Sequence, residues 1–423
     1  MYKWIILAGS FIIYMFDALE ILLLSLALPA ISSDLDITAT QAGLLATATL
    51  LGMGFGGPVM GSLADSRGRR FALLVCVAIF IIFTSAIFIV PNLTVFIIVR
   101  FISGLGLGGV WSVISAFVTE NWPKERRAVA LTFVLSSYPI GGLVAAQLSS
   151  FMLPHWREMF LVAGLGAILP LVIVIFCFRE SQMWLEERNL PLPGDAGAPE
   201  KANSSIREIM AQPYLRTTVL ASIVASLAFI AFYGSSTWLP SYLENERGLD
   251  AQTVGTFMTW LNLGMFIGYN VFGVIADKFG KRLALIIAMV GAGLLMPLYG
   301  VITNETGLLL LGPAYAFFMT FAGLFGPYLS GIYPTRVRAT GSGFCFNVGR
   351  GVSAFAPLLF GALAGVASLA AGLVIAGILF LAGAAVTLFL PRDTRELPDP
   401  STGDDVARSG SPAPQTPPTT TTL

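Results

Sequence analysis

The chain has 423 residues, of which 56% are hydrophobic and 11% are charged, and its formal net charge is zero. Soluble domains carry about 25% charged residues, so this composition excludes an ordinary water-soluble domain. The sequence also lacks a dense run of Lys and Arg, which excludes nucleic acid as a partner. Lipid is the expected solvent for most of the side chains.

Six apolar runs fill the first part of the chain, between Trp4 and Phe178. Each run can supply the ~20 helical residues that cross a hydrocarbon core about 30 Å thick. The first run contains two acids and no small-residue cleavage site, so we interpret it as a membrane span and not as a signal peptide. Residues 1–178 are therefore predicted to form an N-terminal six-helix bundle.

A polar stretch over residues 179–215 contains "NLPLPGDAGAPEKANSS" and predicts a cytoplasmic linker. Six more apolar runs follow, so residues 216–391 are predicted to form a C-terminal six-helix bundle. Residues 392–423 have too few apolar side chains to fold and predict a disordered cytoplasmic tail. The predicted fold class is an all-α membrane protein with twelve transmembrane helices in two bundles.

Positive charge indicates the orientation of these spans. With the amino terminus in the cytoplasm, twenty of the twenty-four Lys and Arg residues fall on the cytoplasmic side. Cytoplasmic loops retain positive charge, so both termini are predicted to face the cytoplasm of a multi-pass cell-membrane protein.

Two short motifs recur in the second half of the chain. "GSLADSRGRR" from Gly61 matches "GVIADKFGKR" from Gly273, and "PKERRA" from Pro123 matches "PTRVRA" from Pro334, at offsets of 212 and 211 residues. Repeated halves of this kind enclose a site near the bilayer midplane and alternate access to it, which predicts a secondary transporter of a small solute. No GxxxxGK[ST] loop occurs in the sequence, so ATP hydrolysis is not indicated.

The stretch "GSLADSRGRRFALL" resembles the signature loop of the major facilitator superfamily. The resemblance covers nearly the whole chain except the tail, and it implies that the loop and its partners form a gate latch. The gate residues that it implies are Gly61, Asp65, Gly68, Arg69, Arg70, Glu120 and Arg127, with Asp277, Gly280, Arg282 and Arg338 in the second half. We expect Gly61 to permit close approach of helices and the arginines to pair with acids such as Glu120.

Four stretches are similar to the proton-coupled carboxylate and metabolite symporters of this superfamily. They are "FDALE", "SYPIGG", "WREMF" and "YPTRVRATGSGFCFNVGR". This resemblance implies uptake of a small organic acid such as an aromatic acid, sialic acid or nicotinate. Glu20 and Ala18 depart from the aromatic-acid pattern, which usually has Asp and Gly there, so the substrate stays open. Tyr138 precedes Pro139 where drug exporters usually carry a glycine.

Four charged residues lie well inside the predicted spans: Asp17, Glu20, Arg100 and Arg350. Each charge costs about 2.5–3.5 kcal/mol near a helix centre, so each needs a partner or a polar cavity. Two carboxylates at i and i+3 disfavour joint ionisation, so one of them can carry a proton.

Our hypothesis is that Asp17 or Glu20 takes up the coupling proton. Arg350 then binds the substrate carboxylate with its planar fork. The alternative is that these four residues form structural salt bridges between helices. The role of Arg100 stays open: it either relays the proton or links helices by a salt bridge.

Aromatic and amide side chains inside the spans are the expected lining of a central cavity. They are Trp111, Tyr138, Gln147, Tyr233, Trp238, Trp260, Asn262, Tyr269, Asn270 and Asn347. The aromatic ones also suit anchors at the membrane interface.

Other functional classes find little support in the sequence. The three cysteines are far apart and His155 is the sole histidine, so we expect no metal site, no cofactor and no enzymatic activity. "GLGLGG" from Gly104 lies inside an apolar run, which favours helix packing over dinucleotide binding. The expected partners are a small-molecule solute, a proton and the lipid bilayer, and the expected functional unit is a monomer. The alternatives are a sugar or drug carrier of the same fold and a sensor that binds solute without moving it.

Overall fold

The structure is a computed structural model and describes residues 2–123, 127–181, 184–185, 206–334 and 337–392. Twelve helical spans in these ranges are long and apolar enough to cross a membrane, as predicted. Residues 182–183 and 186–205 of the predicted linker and residues 393–423 of the predicted tail lie outside the described residues.

The first six spans form the N-terminal half. They are α1 (Tyr2–Leu35), α2 (Ala39–Arg67), α3 (Arg69–Ala86), α4 (Leu93–Asn121), α5 (Arg127–Leu135 and Ser137–Met152) and α6 (Trp156–Gly166 and Ile168–Cys177). The breaks in α5 and α6 fall at single residues, Ser136 and Ala167.

The other six spans form the C-terminal half. They are α7 (Leu215–Ser241), α8 (Ala251–Phe279), α9 (Lys281–Val301), α10 (Glu305–Phe318 and Phe321–Ile332), α11 (Arg338–Ser353 and Ala356–Val366) and α12 (Leu369–Thr387). A π-helical segment, Tyr242–Glu246, extends α7, and a short helix, Ile206–Ile209, lies within the predicted linker.

Helix caps repeat between the halves. Thr38 caps α2 and Asp250 caps α8, each accepting the backbone N–H three residues on. Asn92 and Asn304 cap α4 and α10 in the same way. The backbone N–H and the hydroxyl of Thr253 hold the pKa of Asp250 below its usual value. Equivalent positions therefore start equivalent helices in both halves, at a constant offset of 212 residues.

Arginine joints repeat as well. Arg70 donates to the carbonyl of Ile175 at 2.6 Å, and Arg282 donates to the carbonyl of Thr387 at 3.1 Å. These bonds tie α3 to α6 and α9 to α12. The sequence repeat thus corresponds to a repeat of tertiary joints, which confirms two pseudo-symmetric halves.

The "PKERRA" and "PTRVRA" motifs also form matching bonds. Arg127 and Arg338 each donate Nε to a carbonyl five residues earlier, at 3.1 and 3.2 Å. Both bonds lie at the start of a span, α5 in one half and α11 in the other.

Glycines bring α2 and α4 into direct backbone contact. A Cβ on Gly52 would lie 2.1 Å from the carbonyl of Phe101, and a Cβ on Gly108 would lie 2.1 Å from the carbonyl of Met53. No side chain fits such a gap, so the "GLGLGG" run serves helix packing. Gly268 repeats this contact between α8 and α10, 2.1 Å from the carbonyl of Phe317.

The two halves meet closely on one side of the spans. We call the side that carries the loops around Gly68 and Gly280 the motif side, and the opposite side the far side. On the far side a Cβ on Gly43 would lie 2.6 Å from the carbonyl of Pro357, and one on Gly361 would lie 2.6 Å from that of Ala39. These distances leave no gap between α2 and α11.

The motif side is open. A Cβ added at Gly61 or Gly273 would meet nothing within 4 Å, and the same holds for Gly326 and Gly343. Gly61 therefore makes no close helix contact in this conformation. The prediction that it permits close approach of helices is wrong for this conformation. A cavity of about 300 Å³ lies between α5, α8 and α10 on this side. The structure thus shows a conformation open to the motif side.

Candidate functional site

Helix α1 carries two buried acids one turn apart. Asp17 is 2% exposed and Glu20 is 1% exposed. Positions i and i+3 share one helix face, so both carboxylates point into the protein core. Their partners are nevertheless different.

Glu20 is paired within the N-terminal half, although its Oε2 has no hydrogen-bond partner. Its Oε1 forms an ion pair with Nη1 of Arg100 and accepts a hydrogen bond from Thr84 at 3.1 Å. Nε of Arg100 donates to Thr49 Oγ1 at 2.8 Å. The contact of Gly104 with the backbone of Thr49 holds that hydroxyl beside the guanidinium. The cluster therefore ties α1, α2, α3 and α4 together with no net charge.

Asp17 has no comparable partner. Its Oδ1 is buried without a hydrogen bond. Among the described residues it interacts electrostatically with Arg350 of α11 and with Glu20. Asp17 thus faces a cation that belongs to the other half of the molecule.

Arg350 lies partly buried where the halves meet. Its Nε has no hydrogen-bond partner, and Nη2 faces the Sδ of Met53 in α2 at 3.9 Å. No ion pair of the described residues includes it. It interacts electrostatically with Tyr233, Tyr14 and Asp17. The guanidinium therefore keeps its Nε donor free at the junction of the halves, while Tyr233 approaches it as a hydrogen-bond partner.

Aromatic rings surround these two charges. Tyr14 lies 5.1 Å from Trp111 and 6.4 Å from Tyr138 between ring centroids. Tyr138 lies 6.1 Å from Phe232, which lies 5.2 Å from Tyr233. These five rings, the aromatic arch, connect α1, α4 and α5 with α7. The sequence analysis missed Tyr14 and Phe232, although Tyr14 precedes Asp17 by three residues on the same helix face.

Two cavities lie in this part of the molecule, and rings of the arch line the smaller one. The 300 Å³ cavity runs from Tyr269 and Asn270 to Asp277 and Lys281 at the motif side. A smaller cavity of about 20 Å³, room for about one water, lies on the far side and is lined by Arg100, Tyr138, Tyr233 and Thr237 among others. The larger cavity reaches Tyr269, which interacts electrostatically with Tyr14 and Tyr138 of the arch.

The predicted asparagines fall into two groups. Asn270 and Asn347 are exposed, and each donates to a carbonyl of its own helix at 2.8 and 2.9 Å. Asn270 also lines the larger cavity. Asn262 is buried against Gly142 of α5 instead, in the far-side contact of the halves.

Three other predicted residues lie away from the arch. Gln147 donates to Thr259 Oγ1 at 2.7 Å, between α5 and α8 on the far side. Trp238 donates to the carbonyl of Pro357 at 2.8 Å. Trp260 is 49% exposed and lies about 140° around α8 from the cavity-lining Gly273. The structure does not bring these three together with Arg350.

The signature loop of the N-terminal half is held by charges. Arg69 pairs with Asp65 at 2.7 Å and with Glu120 at 3.1 Å. Gly68 adopts φ +104°, a conformation that disfavours any side chain. Glu180 accepts the backbone N–H groups of Arg69 at 2.7 Å and of Arg70 at 3.1 Å, so it caps α3. Sequence reasoning missed Glu180 because it lies in the polar stretch after α6.

The second copy of the loop keeps the backbone conformation, an arginine joint and one acid. Gly280 adopts φ +95°, and Arg282 contacts the carbonyls of Thr387 and Leu388. Asp277, the counterpart of Asp65, is exposed.

Comparisons with known proteins agree with this architecture. The chain matches the Major Facilitator Superfamily over residues 7–346 and again over residues 248–420. It is 27% identical to a cis,cis-muconate transport protein of Acinetobacter baylyi, over 90% of this chain and 92% of that protein. It is 28% identical to a sialic acid transporter of Escherichia coli, over 87% and 89%.

A solved structure shares the fold. The D-xylose-proton symporter superposes with a TM-score of 0.76 at 15% identity, covering 94% of this chain and all of that one. Twelve spans in two repeated halves, the signature loops and the sequence match lead to one conclusion: the chain belongs to the Major Facilitator Superfamily and is a multi-pass membrane transporter.

Proposed function

We propose that this chain is a proton-coupled symporter that takes up a small organic acid by alternating access. The observation that carries the proposal is the pair Asp17 and Arg350, which face each other from different halves without a hydrogen bond on Asp17 Oδ1 or Arg350 Nε. The motif side is the cytoplasmic side of the cell membrane, and both termini lie there, because Lys and Arg concentrate in the loops of that side.

Arg350 binds the carboxylate of the substrate. A guanidinium presents two parallel N–H groups that match a carboxylate, and a cation inside a membrane protein needs an anionic or polar partner. Arg350 is partly exposed and its Nε has no hydrogen-bond partner, so it is suited to bind an acid that enters from the open side. The rings of Trp111, Tyr138 and Tyr233 then pack on the body of the acid, and Asn270 and Asn347 offer amides nearby.

Asp17 carries the proton. When Asp17 is ionised, its charge satisfies Arg350 and competes with the substrate carboxylate. When Asp17 is protonated, Arg350 is free to bind the acid. Proton and acid therefore favour each other's binding, which is the thermodynamic requirement for symport.

Glu20 and Arg100 form the structural tie of the N-terminal half. The ion pair neutralises both charges, and the hydroxyls of Thr49 and Thr84 add hydrogen bonds to it, although Glu20 Oε2 and Arg100 Nη2 have no partner. Asp17, and not Glu20, is therefore the proton carrier. Arg100 ties helices together and does not relay the proton.

The names of two relatives support an acid as the substrate. Muconate and sialic acid, which those proteins are named for, are both carboxylates. A carboxylate is also the chemical group for which a partly exposed, unpaired arginine is suited.

The experiment is a ligand screen followed by flux. Purified protein is heated with benzoate, nicotinate, muconate, sialic acid or xylose, and the acid that binds the folded state raises the melting temperature. That acid is then offered to proteoliposomes with an inward proton gradient. We expect accumulation that a protonophore abolishes. A melting-temperature response to xylose alone, or accumulation that survives the protonophore, would contradict the proposal, and binding without flux would indicate a sensor.

A further inference from the structure

A hydrogen bond joins the two halves on the far side. Nε2 of Gln147 in α5 donates to Oγ1 of Thr259 in α8 at 2.7 Å. The backbones around this bond are in direct contact, since a Cβ on Gly255 would lie 2.8 Å from the carbonyl of Ala146. The bond therefore spans the surface along which α5 and α8 must separate when the far side opens.

The geometry of Thr259 makes it a good acceptor. Its hydroxyl donates its single hydrogen to the carbonyl of Gly255 at 2.8 Å, which leaves a lone pair directed at Gln147. The amide of Gln147 lies within an apolar span, where a polar side chain without a partner is costly. Thr259 thus supplies the acceptor that the amide of Gln147 needs within the span.

We infer that Gln147 and Thr259 form a latch that stabilises the conformation closed on the far side and breaks each time that side opens. The inference assigns Gln147 to the gate and not to the substrate lining. It concerns the equilibrium between two conformations of the protein without substrate, so it stands or falls separately from the proposed function. A neutral hydrogen bond of ordinary strength shifts such an equilibrium by about 2- to 10-fold.

The helix supplies a matched control. Thr256 lies one turn before Thr259 and donates to the carbonyl of Gln252 at 3.0 Å, as Thr259 donates to that of Gly255. Thr256 is exposed, and among the described residues its hydroxyl bonds to its own helix while the amide of Gln147 bonds to Thr259. Thr256→Val therefore removes the same kind of bond within the helix without touching the latch.

Thiol labelling of purified protein in detergent measures the equilibrium. Cys177, the exposed cysteine, is replaced by serine, while Cys76 and Cys345 are buried. A far-side reporter, Thr237→Cys, lies in the small cavity and is 6% exposed in this conformation. A motif-side reporter, Val274→Cys, lines the large cavity and is 53% exposed.

We expect Gln147→Leu and Thr259→Val to raise the labelling rate at position 237 by about 2- to 10-fold and to lower it at position 274. Thr259→Ser keeps the hydroxyl and should label like the parent, as should Thr256→Val. The double variant Gln147→Leu/Thr259→Val should match the single ones, because one bond can be lost only once. Equal effects of Thr256→Val and Thr259→Val, additive effects in the double variant, or faster labelling at both reporters would overturn the latch.

Discussion

In the N-terminal half, Glu20 is paired with Arg100, whereas in the C-terminal half Arg350 has no carboxylate within ion-pair distance among the described residues. The same contrast appears at the signature loops. Glu180 accepts the backbone N–H groups of Arg69 and Arg70 in the first half, whereas the exposed Arg392 stands at the equivalent position of the second.

This difference separates a structural ion pair in one half from an arginine available for binding in the other. In the N-terminal half Glu20 and Arg100 neutralise each other, so this pair ties its helices together without a partner from the other half. The C-terminal half presents a cation whose partner comes from elsewhere, either Asp17 of the other half or the carboxylate of a solute. Each of the following changes tests one side of that contrast.

The largest expected effect comes from Glu20→Gln. Arg100 is fully buried, and removing its carboxylate leaves an uncompensated charge, which costs about 3–5 kcal/mol of stability. Thermal unfolding in detergent checks this. Asp17→Asn is the matched control, one turn away on the same helix, and should be tolerated because Asp17 forms no ion pair with the described residues. Equal destabilisation by both changes would erase the distinction between the pairs.

The next effect concerns Arg350. Arg350→Ala should weaken acid binding by about 30-fold or more, since truncating one member of a desolvated charge pair costs about 2–5 kcal/mol. Arg350→Lys keeps the charge and loses the planar fork, so its affinity should fall between those of the parent and the alanine variant. Titration of the acid followed by melting temperature measures both. Unchanged affinity in Arg350→Ala would remove this residue from the site.

The smallest expected effect is at the cap of α3. Glu180→Gln weakens charge-assisted bonds to the backbone N–H groups of Arg69 and Arg70, so we expect a loss of about 1–2 kcal/mol in thermal unfolding. Arg392 occupies the equivalent position of the second half and is exposed, so Arg392→Gln should leave stability unchanged. A similar loss in both variants would contradict the asymmetry of the halves.

The fold could be predicted from the sequence because lipid imposes a simple rule. A span needs about 20 apolar residues, and the repeated "AD" and "RA" motifs place equivalent loops on one side. The breaks inside α5, α6, α10 and α11 were not predicted, since a one- or two-residue interruption does not change the hydropathy of a run. The exact domain boundaries and the membrane orientation stay predictions.

The candidate site could be predicted only as a set of residue types. Asp17 and Glu20 share a helix face, and only the position of α4 decides which of them meets Arg100. Trp111 and Trp260 look alike in the sequence, but helical phase puts one in the aromatic arch and the other on an exposed face. Such choices depend on the rotation of whole helices, which is set by distant contacts such as Gly52 against Phe101.

The central claim is that Asp17 exchanges a proton while Arg350 holds the acid. Asp17→Asn in proteoliposomes tests it most directly, with the acid that the ligand screen identifies. The account predicts that counterflow exchange of labelled acid persists while accumulation driven by a proton gradient is lost, because the variant binds substrate but carries no proton. Gradient-driven accumulation at the level of the parent protein would contradict it.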